Sequence, residues 1–198
     1  MENIKNKYFP ENEFLLNQVL DTYKREIVLK AEWIINNISK SISFYNQRKP
    51  SKEIMENVMN AVNYAMSIYR LINVAGARNK SLASERVRLL TARWPELPKA
   101  PEGLKLIRDD LEHFEERLDS WVVDAKRVGN YSLGDLGVGF SEDMKLMEGM
   151  SDKGYLRSIS NQWNFKFWEH SVSLIAIFDW AQDLITYLTQ DKYWYEPL

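Results

Sequence analysis

Between Phe14 and Tyr45 the apolar residues Phe14, Leu15, Leu20, Tyr23, Ile27, Trp33, Ile34, Ile38, Ile42 and Tyr45 recur at helical spacing. That period predicts one long helix over residues 12–47, ended by "RKPS" with Pro50, which cannot continue a helix. A helix of that length must lay its apolar stripe against other elements, so the chain is committed to helical packing from its start. A second helix follows, with Ser51 as its expected N-cap. Its apolar residues are Ile54, Val58, Val62, Ala65, Met66, Tyr69, Ile72 and Val74, and it is expected to stop near Gly76. A shorter third helix is predicted over Ser81–Arg93. Trp94-Pro95 closes it, and "PELPKAPEG" reads as a proline-stiffened loop within one domain.

The fourth helix has the clearest seam. Leu104, Ile107, Leu111, Phe114, Leu118, Trp121, Ala125 and Val128 alternate spacings of three and four, predicting an unbroken helix with one buried face. Beyond it the pattern changes. Six of the eight glycines fall between Gly129 and Gly154, so a long irregular loop or lid is expected there. "YLRSIS" and "NFKFWEH" then suit a small hairpin turning at Asn161 and Gln162. A last helix should begin near Ser171 and pack through Leu174, Ile175, Phe178, Ala181, Leu184, Ile185 and Leu188. The fold class expected is mainly α: a bundle of about five helices with a small β-hairpin before the last.

Length and composition support one folded domain over residues 1–198. The 198 residues are 45% apolar and 13% aromatic, enough large rings to offset chain entropy by burial. There is no cysteine, so disulfides and thiolate metal sites are excluded and a reducing compartment fits. "MENIKNKYFPENEF" lacks the apolar core of a secretory signal, and no apolar run approaches the roughly 18 residues that span a bilayer. A cytoplasmic protein without a membrane partner is expected.

The net charge of −2 predicts no polyanion partner by itself, but the charges are unevenly placed. Arg70, Arg78, Lys80, Arg86, Arg88 and Arg93 form a basic segment interrupted only by Glu85, which reads first as a solvated or internally paired face and, alternatively, as an RNA-contacting one through Arg86, Arg88 and Arg93. "IRDDLEHFEERLDSW", Ile107 to Trp121, instead sets one of the two histidines among six acids. Residues four apart share a helix face, so Asp109, His113 and Arg117 form one stripe and Arg108, Glu112 and Glu115 or Glu116 another, all of them on the wet side, off the apolar seam. Physics alone reads those stripes as a solvated, salt-bridged face.

A second reading comes from resemblance. Arg108, four intervening residues opening with Asp109, then His113 on a late helix resembles the signature of the HEPN superfamily (higher eukaryotes and prokaryotes nucleotide-binding). The longer "RDDLEHFEERLDSW" is similar to stretches in bacterial proteins grouped there, over about Gly76 to Val123. The resemblance implies an all-helical fold, homodimerisation, and in active members a metal-independent endoribonuclease site where two copies of the motif meet. It fits a bacterial stress, defence or toxin–antitoxin setting. Arg108, Asp109 and His113 would then be catalytic: the histidine moves a proton, the arginine stabilises phosphate charge, and the aspartate orients the ring. RNA would be required, because the attacking group is a ribose 2'-hydroxyl. No cofactor or metal is implied. Asp109 stands where active members often carry asparagine, and Glu115 where a nucleotidyltransferase-paired subgroup carries tyrosine. The alternative is a non-enzymatic interaction module of the same fold, whose acidic fourth helix binds a protein partner.

Other clusters read as structural. His170 has no arginine at the motif spacing, Glu112, His113, Glu115 and Glu116 lack the second motif a di-metal bundle needs, and Trp163, Phe165, Phe167 and Trp168 are expected core. Met144, Met147 and Met150 read as loop packing.

Overall fold

The computed structural model describes residues 8–128, 134–140, 155–168 and 170–190. Along the chain they form α1 (Glu13–Asn46), α2 (Ser51–Ile72), α3 (Lys80–Arg93), α4 (Leu104–Glu112), α5 (Phe114–Val128), β1 (Gly134–Phe140), β2 (Tyr155–Ser160), β3 (Asn164–Phe167), β4 (His170–Ser173) and α6 (Leu174–Thr189). The protein is mainly α, with a small sheet before the last helix. No described helix is long and apolar enough to cross a membrane.

On α1 the buried positions Leu20, Lys24, Ile27, Ala31, Ile34, Ile38 and Ser41 alternate steps of four and three, which keeps them on one face. Ser41 is tolerated there because its hydroxyl donates to the carbonyls of Asn37 and Ile54, at 2.9 and 3.3 Å. Phe14 and Leu15, read from sequence as part of this face, are exposed. The Asn12 side chain caps the helix by accepting from the Leu15 N–H. A four-residue turn reverses the chain into α2, with Arg48 at φ 55° and its N–H bonded to the Tyr45 carbonyl. The first turn of α2 contains Ser51 rather than being capped by it: Pro50 occupies the cap, its carbonyl receiving the Glu53 and Ile54 N–H groups. This helix ends at Ile72, before Val74 and Gly76.

α6 packs its stripe of Leu174, Ile177, Trp180, Ala181, Leu184 and Leu188 against α1 and completes the core with α2. Each fully buried leucine or isoleucine contributes about 1.5–3 kcal/mol. The cap of α6 is Ser173, accepting from the Ala176 N–H at 3.1 Å, and not Ser171. Ser171 is taken up by strand β4, where it pairs with Lys166. The proline loop after α3 is fastened to α6 at two points: Trp180 Nε1 donates to the Pro98 carbonyl at 3.0 Å, and the Glu96 N–H donates to Tyr187 Oη at 3.1 Å.

The sheet has the order β1-β2-β3-β4, with β1 parallel to β2 and the other pairs antiparallel. The hairpin between β2 and β3 turns at Asn161 and Gln162 as expected, and Ser160 Oγ accepts from the Gln162 and Asn164 N–H groups. Strand β1 overturns the expectation of an irregular loop for Gly134–Phe140. Glycine in a strand marks a close approach, and Tyr45 lies against Gly139. The remainder of the expected lid, with Met144, Met147 and Met150, lies outside the described residues. Phe165, Phe167 and Trp168 are buried as expected.

The predicted unbroken fourth helix is two helices. His113, at φ −112° and ψ 31°, ends α4, and Phe114 opens α5. The break divides two environments: Leu104 and Ile107 on α4 are fully buried, whereas Leu118 and Trp121 on α5 are half-buried and Val122 and Val123 exposed. α4 is pinned at its start, where Gly103, at φ +86°, comes so close to β4 that a Cβ would stand 2.2 Å from the Ser171 carbonyl oxygen.

Candidate functional site

The quoted stretch folds as the α4–α5 break and rests against the β3–β4 hairpin. Phe114 on α5 and Phe167 on β3 meet with ring centroids 6.0 Å apart, and α4 packs along β4. Arg108 does not lie on the wet face expected for it. It is 6% exposed, and its Nη2 stands 2.8 Å from Asp109 Oδ1 and 3.1 Å from Glu112 Oε2. Glu112 reaches in turn to Arg70 at the end of α2. The physical reason for the burial is a gap left by Gly76: its missing side chain admits the guanidinium, and a Cβ there would be 2.9–3.0 Å from Nη2, Cζ and Nη1. Nε and Nη1 of Arg108 have no hydrogen-bond partner among the described residues.

His113 is on the outside, as its place off the seam predicts. Its side chain is 57% exposed, and Nδ1 lies 3.2 Å from Oε2 of the still more exposed Glu116. Asp109, read as the residue that orients this ring, ion-pairs with Arg108 instead.

Asp110 was not singled out by the sequence, yet it is the most buried charged side chain of the stretch, at 1% exposure. Its Oδ2 lies 2.6 Å from His170 Nδ1, and its Oδ1 is 3.3 Å from Arg117 Nε. An ionised carboxylate only accepts hydrogen bonds, so Nδ1 is the nitrogen that donates in this pair and Nε2 is left outside it. The His170 side chain is 34% exposed. Of the two histidines, His170 meets Asp110 from β4, whereas His113, three residues further along, turns to Glu116.

The basic segment is divided among other tasks. Arg86 closes the end of α2, with Nε donating to the Leu71 carbonyl at 2.8 Å and Nη2 to those of Arg70 and Asn73 at 2.8 and 3.3 Å. Arg88 forms a two-pronged pair with Glu85, at 2.8 and 2.6 Å, and that hydrogen-bonded carboxylate raises the guanidinium pKa. Arg93 is exposed in the last turn of α3. No group of three or more His, Asp or Glu side chains suited to a metal ion occurs among the described residues.

No family model, curated protein or solved structure matches the chain.

Proposed function

We propose that this is a HEPN-like helical protein acting as a metal-independent endoribonuclease, with its site at the α4–α5 break. The observation that carries the reading is the placement of the Arg108-to-His113 motif at the α4–α5 break, with Arg108 on the buried side and His113 on the exposed side. Transesterification of RNA by side chains needs proton-transfer groups and a donor for the phosphate oxygens, and these are the residue types present. Arg108 lies on the buried side, five residues before His113, and supplies the positive charge that the motif directs at a phosphate. His113 enters from the exposed side. On this reading the protein cleaves RNA in the presence of chelator and leaves 2',3'-cyclic phosphate ends. Incubation of the purified chain with labelled single-stranded RNA tests it, and absence of cleavage above background removes the activity.

One observation favours a second reading, a non-enzymatic interaction module of the same fold. Two carboxylates already neutralise Arg108, and α5 turns Val122 and Val123 outward. A protein that cleaves no RNA but self-associates or binds a partner through α5 would be of this kind.

A further inference from the structure

We infer that the turn between α1 and α2 holds a binding site for a small phosphate monoester, apart from the α4–α5 break and independent of the ribonuclease reading. A cavity of about 480 Å³ opens there between the turn and strand β1, within the roughly 300–1,000 Å³ typical of small-molecule sites. Its apolar lining comes from Ile54, 3% exposed, and from Val138, half-buried on β1. Arg48, Lys49 and Ser51 supply the polar lining. No carboxylate lines the cavity, and neither Arg48 nor Lys49 forms an ion pair, among the described residues. Two unpaired cations beside a hydroxyl select an anion, and the apolar lining selects one that carries a hydrocarbon group. A dianionic phosphate monoester meets both demands. Its terminal oxygens accept from guanidinium, ammonium and hydroxyl, while its organic part leaves water against Ile54 and Val138.

The site is built in advance of any ligand. Tyr45, which also lines the cavity, is fixed from two sides: its ring meets Trp163 edge-on at 5.5 Å, and its phenol lies against Gly139, where a Cβ would be 3.0 Å from Oη. The turn is tied by three backbone bonds, from the Gln47, Arg48 and Lys49 N–H groups to the carbonyls of Ser43, Tyr45 and Phe44, at 3.0, 2.9 and 3.0 Å. Such preorganisation spares a ligand the cost of ordering the loop. Arg48 is the informative residue. It stands at φ 55°, a left-handed conformation that glycine or asparagine adopts with less strain, so the turn itself gains nothing from an arginine there. What the arginine adds is a guanidinium at the cavity. Strained positions of this sort gather at ligand sites.

The test is a titration of the full, 15N-labelled chain with three probes: phenyl phosphate, inorganic phosphate and benzyl alcohol. Phenyl phosphate should bind with a Kd on the order of 1 mM and shift the amide signals of residues 45–54. It should bind about tenfold or more tighter than either other probe, each of which carries only half of its chemistry. Arg48→Asn should weaken phenyl phosphate about tenfold or more while melting at or above the wild-type temperature, because asparagine suits the left-handed turn; an arginine with a merely structural role would give the reverse. Lys49→Gln should weaken binding in the same way. Unchanged affinity in both variants, or shifts confined to other elements, would overturn the site. Benzyl alcohol binding as tightly as phenyl phosphate would overturn the choice of an anion, and inorganic phosphate binding as tightly would overturn the apolar half of the assignment. Absence of any shift at about 10 mM phenyl phosphate would overturn the inference altogether.

Discussion

The guanidinium of Arg108 lies over the Cα of Gly76. A Cβ placed there would be almost equidistant from Cζ, Nη1 and Nη2, which puts it above the guanidinium plane, and Gly76 has φ +73°. Two constraints thus converge on one position, a left-handed backbone and a close approach. Gly76→Ala is expected to destabilise the protein by about 2 kcal/mol or more, the left-handed conformation alone accounting for roughly 1–2 kcal/mol. Urea unfolding measures it, and an unchanged midpoint would mean that the guanidinium moves aside freely.

Arg108→Ala should also lower stability. The substitution empties a buried site and strands Asp109, about one-third exposed, while Glu112 keeps only Arg70. The loss should be about 1–3 kcal/mol, below the roughly 3–5 kcal/mol typical of a fully buried pair because solvent still reaches the carboxylates. Arg108→Met restores packing without charge and should recover part of it. Equal melting of wild type and both variants would show that the pairing contributes nothing.

Asp110→Asn keeps the shape but removes the charge facing His170 and Arg117. About 1–3 kcal/mol should be lost, since hydrogen bonds to a charged group are worth more than neutral ones. Calorimetry of the purified variant gives the value; a neutral result would mean that the carboxylate's burial already cancels what its contacts with His170 and Arg117 contribute.

His113→Ala, by contrast, should change stability by no more than about 0.5 kcal/mol, because the ring is mostly exposed and lies at a helix end. A larger loss in a denaturant titration would place His113 in a packed interface.

Homodimerisation is expected through α5, where Val123 is 68% exposed and Val122 45% exposed. Light scattering at micromolar concentration should give twice the chain mass, and Val123→Glu should shift it toward the monomer. A wild type that is monomeric at every concentration removes the two-copy site that the resemblance implies.

The long elements were legible because α1, α2 and α6 repeat at helical spacing and each residue's place follows from its neighbours. The break at His113 was not, since Phe114 continues the seam that Leu104 and Ile107 begin, and only packing against Phe167 separates the two environments. Arg108 was misplaced for a similar reason: its burial depends on Gly76, more than thirty residues away. The pairing of Asp110 with His170 is equally non-local. One signal was present: Asp110 follows Ile107 by three residues and precedes Phe114 by four, so it stands on the apolar face, where a carboxylate needs a partner. The parallel strand β1 hid among glycines that read as a loop.

The packing of α6 against α1 has a consequence for synthesis. A chain emerging from the ribosome can close the α1–α2 hairpin early, because those helices adjoin in sequence. The surface that receives Leu174, Ile177 and Leu184 is made long before α6 exists. Until α6 arrives, the nascent chain carries an open apolar groove, a natural landing place for chaperones. Truncation before Leu174 should therefore yield an aggregating hairpin instead of a smaller stable protein.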